Sequence, residues 1–360
     1  MKHAYITCGL LTVLLCLSGC SGALSPEQEG ALTLVIADGE STKASDVTEL
    51  AYERRINNLQ VFLFEDGVLQ NYERMDTRDQ TFPLTKNYPG IRAGMYQVYV
   101  VANAASLDGV TTEAGLLETA VHLSDCSLDE TQGFVMSGSG SVTVGESEAR
   151  VQVGLQRFAA RIRLASIENR VPAGYAEGGS ITVKGVFLIN ALGSWILSGS
   201  GTASEWVNLG GRLEGRTASE DRSDFLVSEG QVHPAGYRSQ VFRSLSATVA
   251  RGASKTFPDC CLYSFPNPVT TDHTGNSATE SSGAMTRLVV LARVNGEDWW
   301  YPVTLFKNGE GLLRNMSCDV KLTLRATGSS DPNEPVGTGS LEAVVSVRGW
   351  YTGVKYTETL

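Results

Sequence analysis

Ala31-Leu-Thr-Leu-Val-Ile-Ala-Asp-Gly-Glu-Ser-Thr-Lys43 decides the reading of this chain, because it sets a short strand between an upstream lipid-attachment signal and a downstream basic residue. On a pleated strand Leu32, Leu34 and Ile36 share one face, and Ala31, Thr33 and Val35 the other, a pattern that suits a sheet with one fully buried face. Upstream, Met1 to Cys20 has Lys2 and His3, then an apolar run from Ile6 to Leu17, then Leu17-Ser18-Gly19-Cys20. The run is too short to span a membrane as a mature helix and reads as a secretion signal. Leu-Ser-Gly-Cys at its end matches the bacterial lipobox, which makes Cys20 the expected diacylated residue and new N-terminus. Two acyl chains anchor firmly where one binds marginally. Downstream, the polar stretch Asp38 to Arg55 carries Lys43, Arg54 and Arg55. Exposed polar loops are where proteolytic nicking concentrates, so a trypsin-like cut is expected there, at Lys43-Ala44 or alternatively after Arg54 or Arg55. Such a cut would shed the lipid and the first strand together, leaving a groove. At the far end, Val354, Tyr356 and Leu360 share one side of an extended segment, which makes it a candidate donor strand to refill that groove.

The 360 residues suggest two domains, and short alternating runs of Val, Thr and Tyr with abundant Gly point to an all-β chain. The expected division is a signal peptide 1–20, a propeptide with the removable strand 21–43, an N-terminal β-sandwich 44–156, a C-terminal β-sandwich 157–340, and C-terminal strands 341–360. Strands are read at Ile56–Phe64, Val68–Tyr72, Met95–Ala102, Phe158–Ile167, Ser180–Asn190, Cys318–Ala326 and Leu341–Trp350. Hairpins are read about Asp66-Gly67 and Asn295-Gly296, and two strands about Gly145. One helix is expected, over Thr111–His122, and Ser137-Gly-Ser-Gly-Ser141 reads as a flexible turn.

The net charge of −10 argues against a nucleic-acid or anionic-membrane surface, either of which calls for clustered Lys and Arg. Of the seven cysteines, Cys8 and Cys16 leave with the signal and Cys20 takes lipid. Cys126, Cys260, Cys261 and Cys318 fit no small disulfide framework, and Cys318 alternates with apolar residues as a buried thiol would. His3, His122, His233 and His273 have neither ligand nor catalytic spacing, and Asp331-Pro-Asn-Glu334 lacks the Gly and distal Glu of a calcium loop. Trp299, Trp300 and Tyr301 could line a sugar site but suit a sandwich core. No enzymatic activity, cofactor or metal is expected.

In this order the segments resemble the fimbrillins of Bacteroidales type V pili, the major-fimbrium shaft subunit type. The resemblance runs through Leu17–Cys20, Ala31–Ile36, Asn58–Phe64, Tyr99–Asn103, Ala160–Arg163, Tyr301-Pro-Val303, Leu313-Arg-Asn315, Val320–Leu324, Asp331-Pro332 and Trp350. It implies two transthyretin-like β-sandwich domains in tandem, export as a lipoprotein to the outer membrane, and cleavage by an arginine-specific protease after the first strand. The neighbouring subunit's C-terminal strand then fills the groove, building a surface fimbria that supports adhesion. Lys43 stands where that family has its Arg. The implied partners are other copies of the chain or related pilins, the outer membrane through the precursor's lipid, the protease, and host proteins or glycans. A fimbrial anchor or tip adhesin, or a surface glycan-binding lipoprotein, are the alternatives.

Overall fold

The computed structural model describes residues 29–37, 49–126, 128, 133–174, 178–199, 205–209, 232, 234–270, 284–305 and 311–350, and the backbone of 355–359. Nine strands occupy its first half: β1 (Glu29–Ala37), β2 (Asn58–Glu65), β3 (Val68–Asp76), β4 (Leu84–Arg92), β5 (Gly94–Ala102), β6 (Ala120–His122), β7 (Met136–Val144), β8 (Ala149–Gly154) and β9 (Gln156–Arg157). They make a five-stranded sheet in the order β3-β2-β5-β7-β9 and a three-stranded sheet in the order β4-β1-β8. The two pack face to face over Leu32, Leu34, Ile36, Leu59, Val61, Leu63, Val98, Val100 and Val153. Strand β2 is buried on both faces, because Phe62 and Phe64 belong to a second core shared with the rest of the chain. That is why its sequence is nearly continuous in apolar residues.

The chain changes sheets between Arg157 and Ala160. Its second half contributes β10 (Ala160–Asn169), β11 (Ser180–Ile189), β12 (Ala191–Leu192), β13 (Ser194–Ile196), β14 (Trp206–Val207), β15 (Phe242–Ala250), β16 (Ser254–Thr256), β17 (Cys261–Ser264), β18 (Arg287–Val294), β19 (Glu297–Thr304), β20 (Met316–Leu324), β21 (Leu341–Gly349) and β22 (Lys355–Thr359). One sheet runs β16-β10-β20-β21-β22 with β17 also on β10, and the other runs β15-β11-β18-β19. The result is a nearly all-β protein of two sandwich domains in tandem. The domains are stitched by β13 pairing with β6, Ser194 opposite His122 and Ile196 opposite Ala120.

Both expected hairpins form, with Asp66 and Gly67, and Asn295 and Gly296, all at positive φ, the backbone that two-residue turns require. Strand β5 is central, flanked by β2 and β7. Three expectations need correction. The helix spans only Glu113–Leu117, capped by Thr112 accepting from the Gly115 N–H, and His122 ends in a strand because β13 takes that segment as its partner. The Ser-Gly-Ser run is β7 and not a turn: a Cβ on Gly138 would lie 2.2 Å from the Gly154 carbonyl oxygen, so its glycines serve a close strand approach. The face of β1 opposite the core is not open, since Thr33 and Val35 are also buried.

The four cysteines among the described residues, Cys126, Cys260, Cys261 and Cys318, are buried free thiols. Trp300 and Tyr301 are buried within the second sandwich and Trp299 packs against it, so this cluster fills a core. Among the described residues no group of three or more metal-binding side chains gathers.

Candidate functional site: the first strand and its groove

Strand β1 lies in the middle of its sheet. From Ala31 to Ile36 it pairs antiparallel with β4, running from Pro89 to Leu84, and from Leu32 to Ala37 it pairs parallel with β8, Ala149 to Gly154. Leu32, Leu34 and Ile36 are fully buried in the N-terminal core. Burying three such side chains is worth about 1.5–3 kcal/mol each. On the other face the Thr33 hydroxyl lies 3.0 Å from Asn87 Oδ1 and also reaches Glu148. At its start the strand is pressed against the β7–β8 turn, where a Cβ on Gly30 would stand 2.1 Å from the Gly145 carbonyl oxygen.

Removing β1 would therefore bare two strand edges, one on β4 and one on β8, with an apolar floor between them. Unpaired edges of this kind are templates for another strand. The sequence pattern alone did not show that two edges flank the groove. Strand β4 was missed because Pro89 and Gly90 interrupt its pattern; Pro is tolerated there because β4 is an edge strand, and Gly90 takes up a bulge opposite Gly30-Ala31.

Beyond the stretch after β1 the chain is held tightly. Glu53 is completely buried in a short 3-10 turn, Ala51–Arg54. Its carboxylate accepts from Arg161 Nε at 2.9 Å, from the Tyr263 hydroxyl at 2.6 Å, and from the Leu50 N–H at 2.6 Å. Its carbonyl accepts from Arg157 Nε at 2.9 Å, and Glu49 lies 3.4 Å from the same guanidinium. Burial and the nearby Glu53 push the Tyr263 phenol well above its usual range, so it stays a donor to that carboxylate. Arg54 is exposed and pairs with Glu49 at 3.0 Å, while the Arg55 carbonyl accepts from Asn103 Nδ2 at 2.7 Å. Neither Glu53 nor Asn103 was singled out from the sequence; a Glu among apolar and basic neighbours gives no sign that it pairs with residues a hundred positions away.

The C-terminal candidate lies at the edge of its own domain's sheet. Strand β22 pairs with β21 alone, Lys355 opposite Arg348 through Thr359 opposite Val344, with Tyr356 opposite Val347. Trp350, just before it, is fully buried between Phe134 and Tyr263, with Arg157 over its ring. Cys20, Lys43, Ala44, Val354 and Leu360 lie outside the described residues.

The central, core-filling first strand falls within the part of the chain that known families cover. Residues 31–155 match the family described as major fimbrial subunit protein (FimA). Among solved structures, a candidate cell adhesion protein from Bacteroides eggerthii is similar over 91% of this chain and 98% of its own, with TM-score 0.61 and 21% identity. One from Parabacteroides distasonis is similar over 91% and 99%, with TM-score 0.61 and 20% identity. A fimbrilin from Porphyromonas gingivalis gives the same TM-score of 0.61 over 91% and 99%, at 12% identity. At such identities the likeness is one of fold, and it extends over both domains. No curated protein matches the chain.

Proposed function

We propose that this chain is a structural subunit of a cell-surface fimbria, exported as a lipoprotein through Cys20, activated by a cut that removes β1, and polymerised by a strand lent from the next subunit. The observation that carries this reading is the position of β1: it is paired on both sides and fills the first core, yet it precedes every other described element in the chain. A cut between Ala37 and Glu49 leaves Glu49 and Glu53 in place against Arg157 and Arg161. The donor has something to gain, because β22 pairs on one side only, whereas the vacated groove offers two edges and an apolar floor. The ten residues after Trp350 reach about 33 Å when extended, enough to refill the groove left by β1. The match of residues 31–155 to a fimbrial subunit family supports the same reading. The partners would be copies of this chain or related pilins, a trypsin-like or arginine-specific protease, and the outer membrane before release.

Two measurements test it. Mass spectrometry of subunits recovered from surface fimbriae should find no Leu32, and a chain truncated after Trp350 should be cut but remain monomeric. A mature subunit that keeps Leu32 points instead to an anchor or tip role. Undiminished polymerisation of the truncated chain would place the donor elsewhere.

A further inference from the structure

Arg314, on the approach to β20, is a half-buried cation that meets no carboxylate among the described residues. Its guanidinium lies 4.1 Å over the Phe158 ring. Nε donates to the Arg157 carbonyl at 3.3 Å, and Nη2 donates to the Gln156 carbonyl at 2.7 Å and reaches the Ser137 carbonyl and hydroxyl at 3.4 and 3.3 Å. Every partner is a neutral oxygen, and burial lowers the arginine pKa to about 10, still charged at neutral pH. Nη1 makes no hydrogen bond among the described residues and lies towards Gly199. A half-buried cation whose partners are all neutral, lying beside a cavity, marks a candidate ligand site.

The cavity is there: a cleft of about 480 Å³ at the seam of the two domains, lined in part by Arg314. Tyr99 lies opposite Ser139, and Val101 opposite Ser137, on the face of the first sheet that looks away from its own core. The second domain contributes Leu197 and Ser198, and the short helix adds Leu117. Small-molecule sites fall at about 300–1,000 Å³, combine apolar surface with a few placed polar groups, and favour domain seams. Serine hydroxyls and an apolar panel suit a ring that has hydroxyls at its rim and C–H bonds on its face. The free Nη1, with two N–H donors, suits a carboxylate.

We propose that this cleft binds an acidic monosaccharide, its carboxylate on Arg314 Nη1 and its ring against Leu117 with hydroxyls on Ser137 and Ser139. To test it, glucuronic acid and N-acetylneuraminic acid are titrated by calorimetry and by saturation-transfer NMR into the purified full chain at neutral pH, with glucose and acetate alongside. Saturable binding of at least one acid, tenfold or more tighter than glucose and acetate, is expected. Arg314→Gln should weaken it at least tenfold. Because that change also removes interdomain hydrogen bonds, Ser139→Trp is the second variant: it fills the cleft from an exposed strand position, leaves Arg314 in place, and should abolish binding at unchanged melting temperature. Equal binding of glucose, acetate binding as tightly as the sugar acids, no saturation at millimolar acid, or undiminished binding in folded Ser139→Trp would each overturn the proposal.

Discussion

The guanidinium of Arg157 lies 4.6 Å from the ring centroid of Trp350, while the same side chain donates to the carbonyl of Glu53. One residue at the end of the first domain thus grips both the segment that follows β1 and the last residue before the C-terminal segment. A cation over a tryptophan face is worth about 0.5–1 kcal/mol when exposed and about 2 or more when desolvated, as it is here. Trp350→Ala should cost about 3–5 kcal/mol, the range for a buried aromatic, and should speed hydrogen exchange across residues 355–359. Trp350→Phe should do less of both. Unchanged exchange in the alanine variant would show that Trp350 does not hold the C-terminal strand.

Gly30→Ala is a test of how tightly β1 is seated. The new methyl would stand 2.1 Å from the Gly145 carbonyl oxygen, so backbone must move. Overpacking of this kind costs about 1–3 kcal/mol. The loss should be confined to the first domain, read as faster exchange of the β4 and β8 amides that face β1, with the β11–β18 pairing unaffected. If exchange rises equally in both domains, the first strand is not a separable element.

How far the sequence carried these readings depends on whether a partner could be seen in it. Strands with their own alternation and a turn beside them, β2, β3, β18 and β19, were legible because period-2 patterning and Asp-Gly or Asn-Gly turns are local signals. Strand β4 was hidden by Pro89, and β17 by its two adjacent cysteines. The apolar face of β1 was also legible, from Leu32, Leu34 and Ile36. Its central place was not, because pairing with both β4 and β8 is a property of distant residues. For the same reason Glu53 could not be read as a partner of Arg161, nor Arg314 as a cation lacking one.

The buried thiols give the protein a pH dependence. Burial pushes Cys126 and Cys260 up to about 12 and Cys261 to about 11, from about 8.5 in an unfolded chain. With a folded pKa above the unfolded one, the folded state holds its protons longer. The stability this gives is complete below about pH 8.5 and is lost as pH rises from there towards 11–12. Urea midpoints should therefore fall between pH 8 and pH 10, and a thiol reagent at pH 8 should label all four cysteines only after unfolding. Rapid labelling of any one in the native protein would contradict the burial argument.

The place of the proposed cut can be argued from what each choice would strand. Cleavage after Arg54 or Arg55 would send Glu53 away with the departing fragment. Arg161, only 1% exposed at its side chain and 2.9 Å from the Glu53 carboxylate, would be left charged and buried. Breaking one side of a buried pair costs about 3–5 kcal/mol, on top of the lost first strand. The Arg55 carbonyl is also engaged by Asn103, and Arg54 lies in a 3-10 turn held by Glu53, so a protease would have to open both before it could bind. A cut at Lys43-Ala44 leaves Glu49 and Glu53 on the retained side. Lys43→Ala should therefore leave the precursor intact under limiting trypsin, whereas the double change Arg54→Ala, Arg55→Ala should leave the cutting rate within about twofold of the parent. Glu53→Gln should lower stability by a few kcal/mol and make Arg54 and Arg55 newly susceptible, and adding Arg161→Met should restore much of the loss by removing a buried charge that Glu53 no longer balances. N-terminal sequencing of the digests reads all of these outcomes, and a mature terminus at Arg55 or Ile56 in the parent would reverse the assignment.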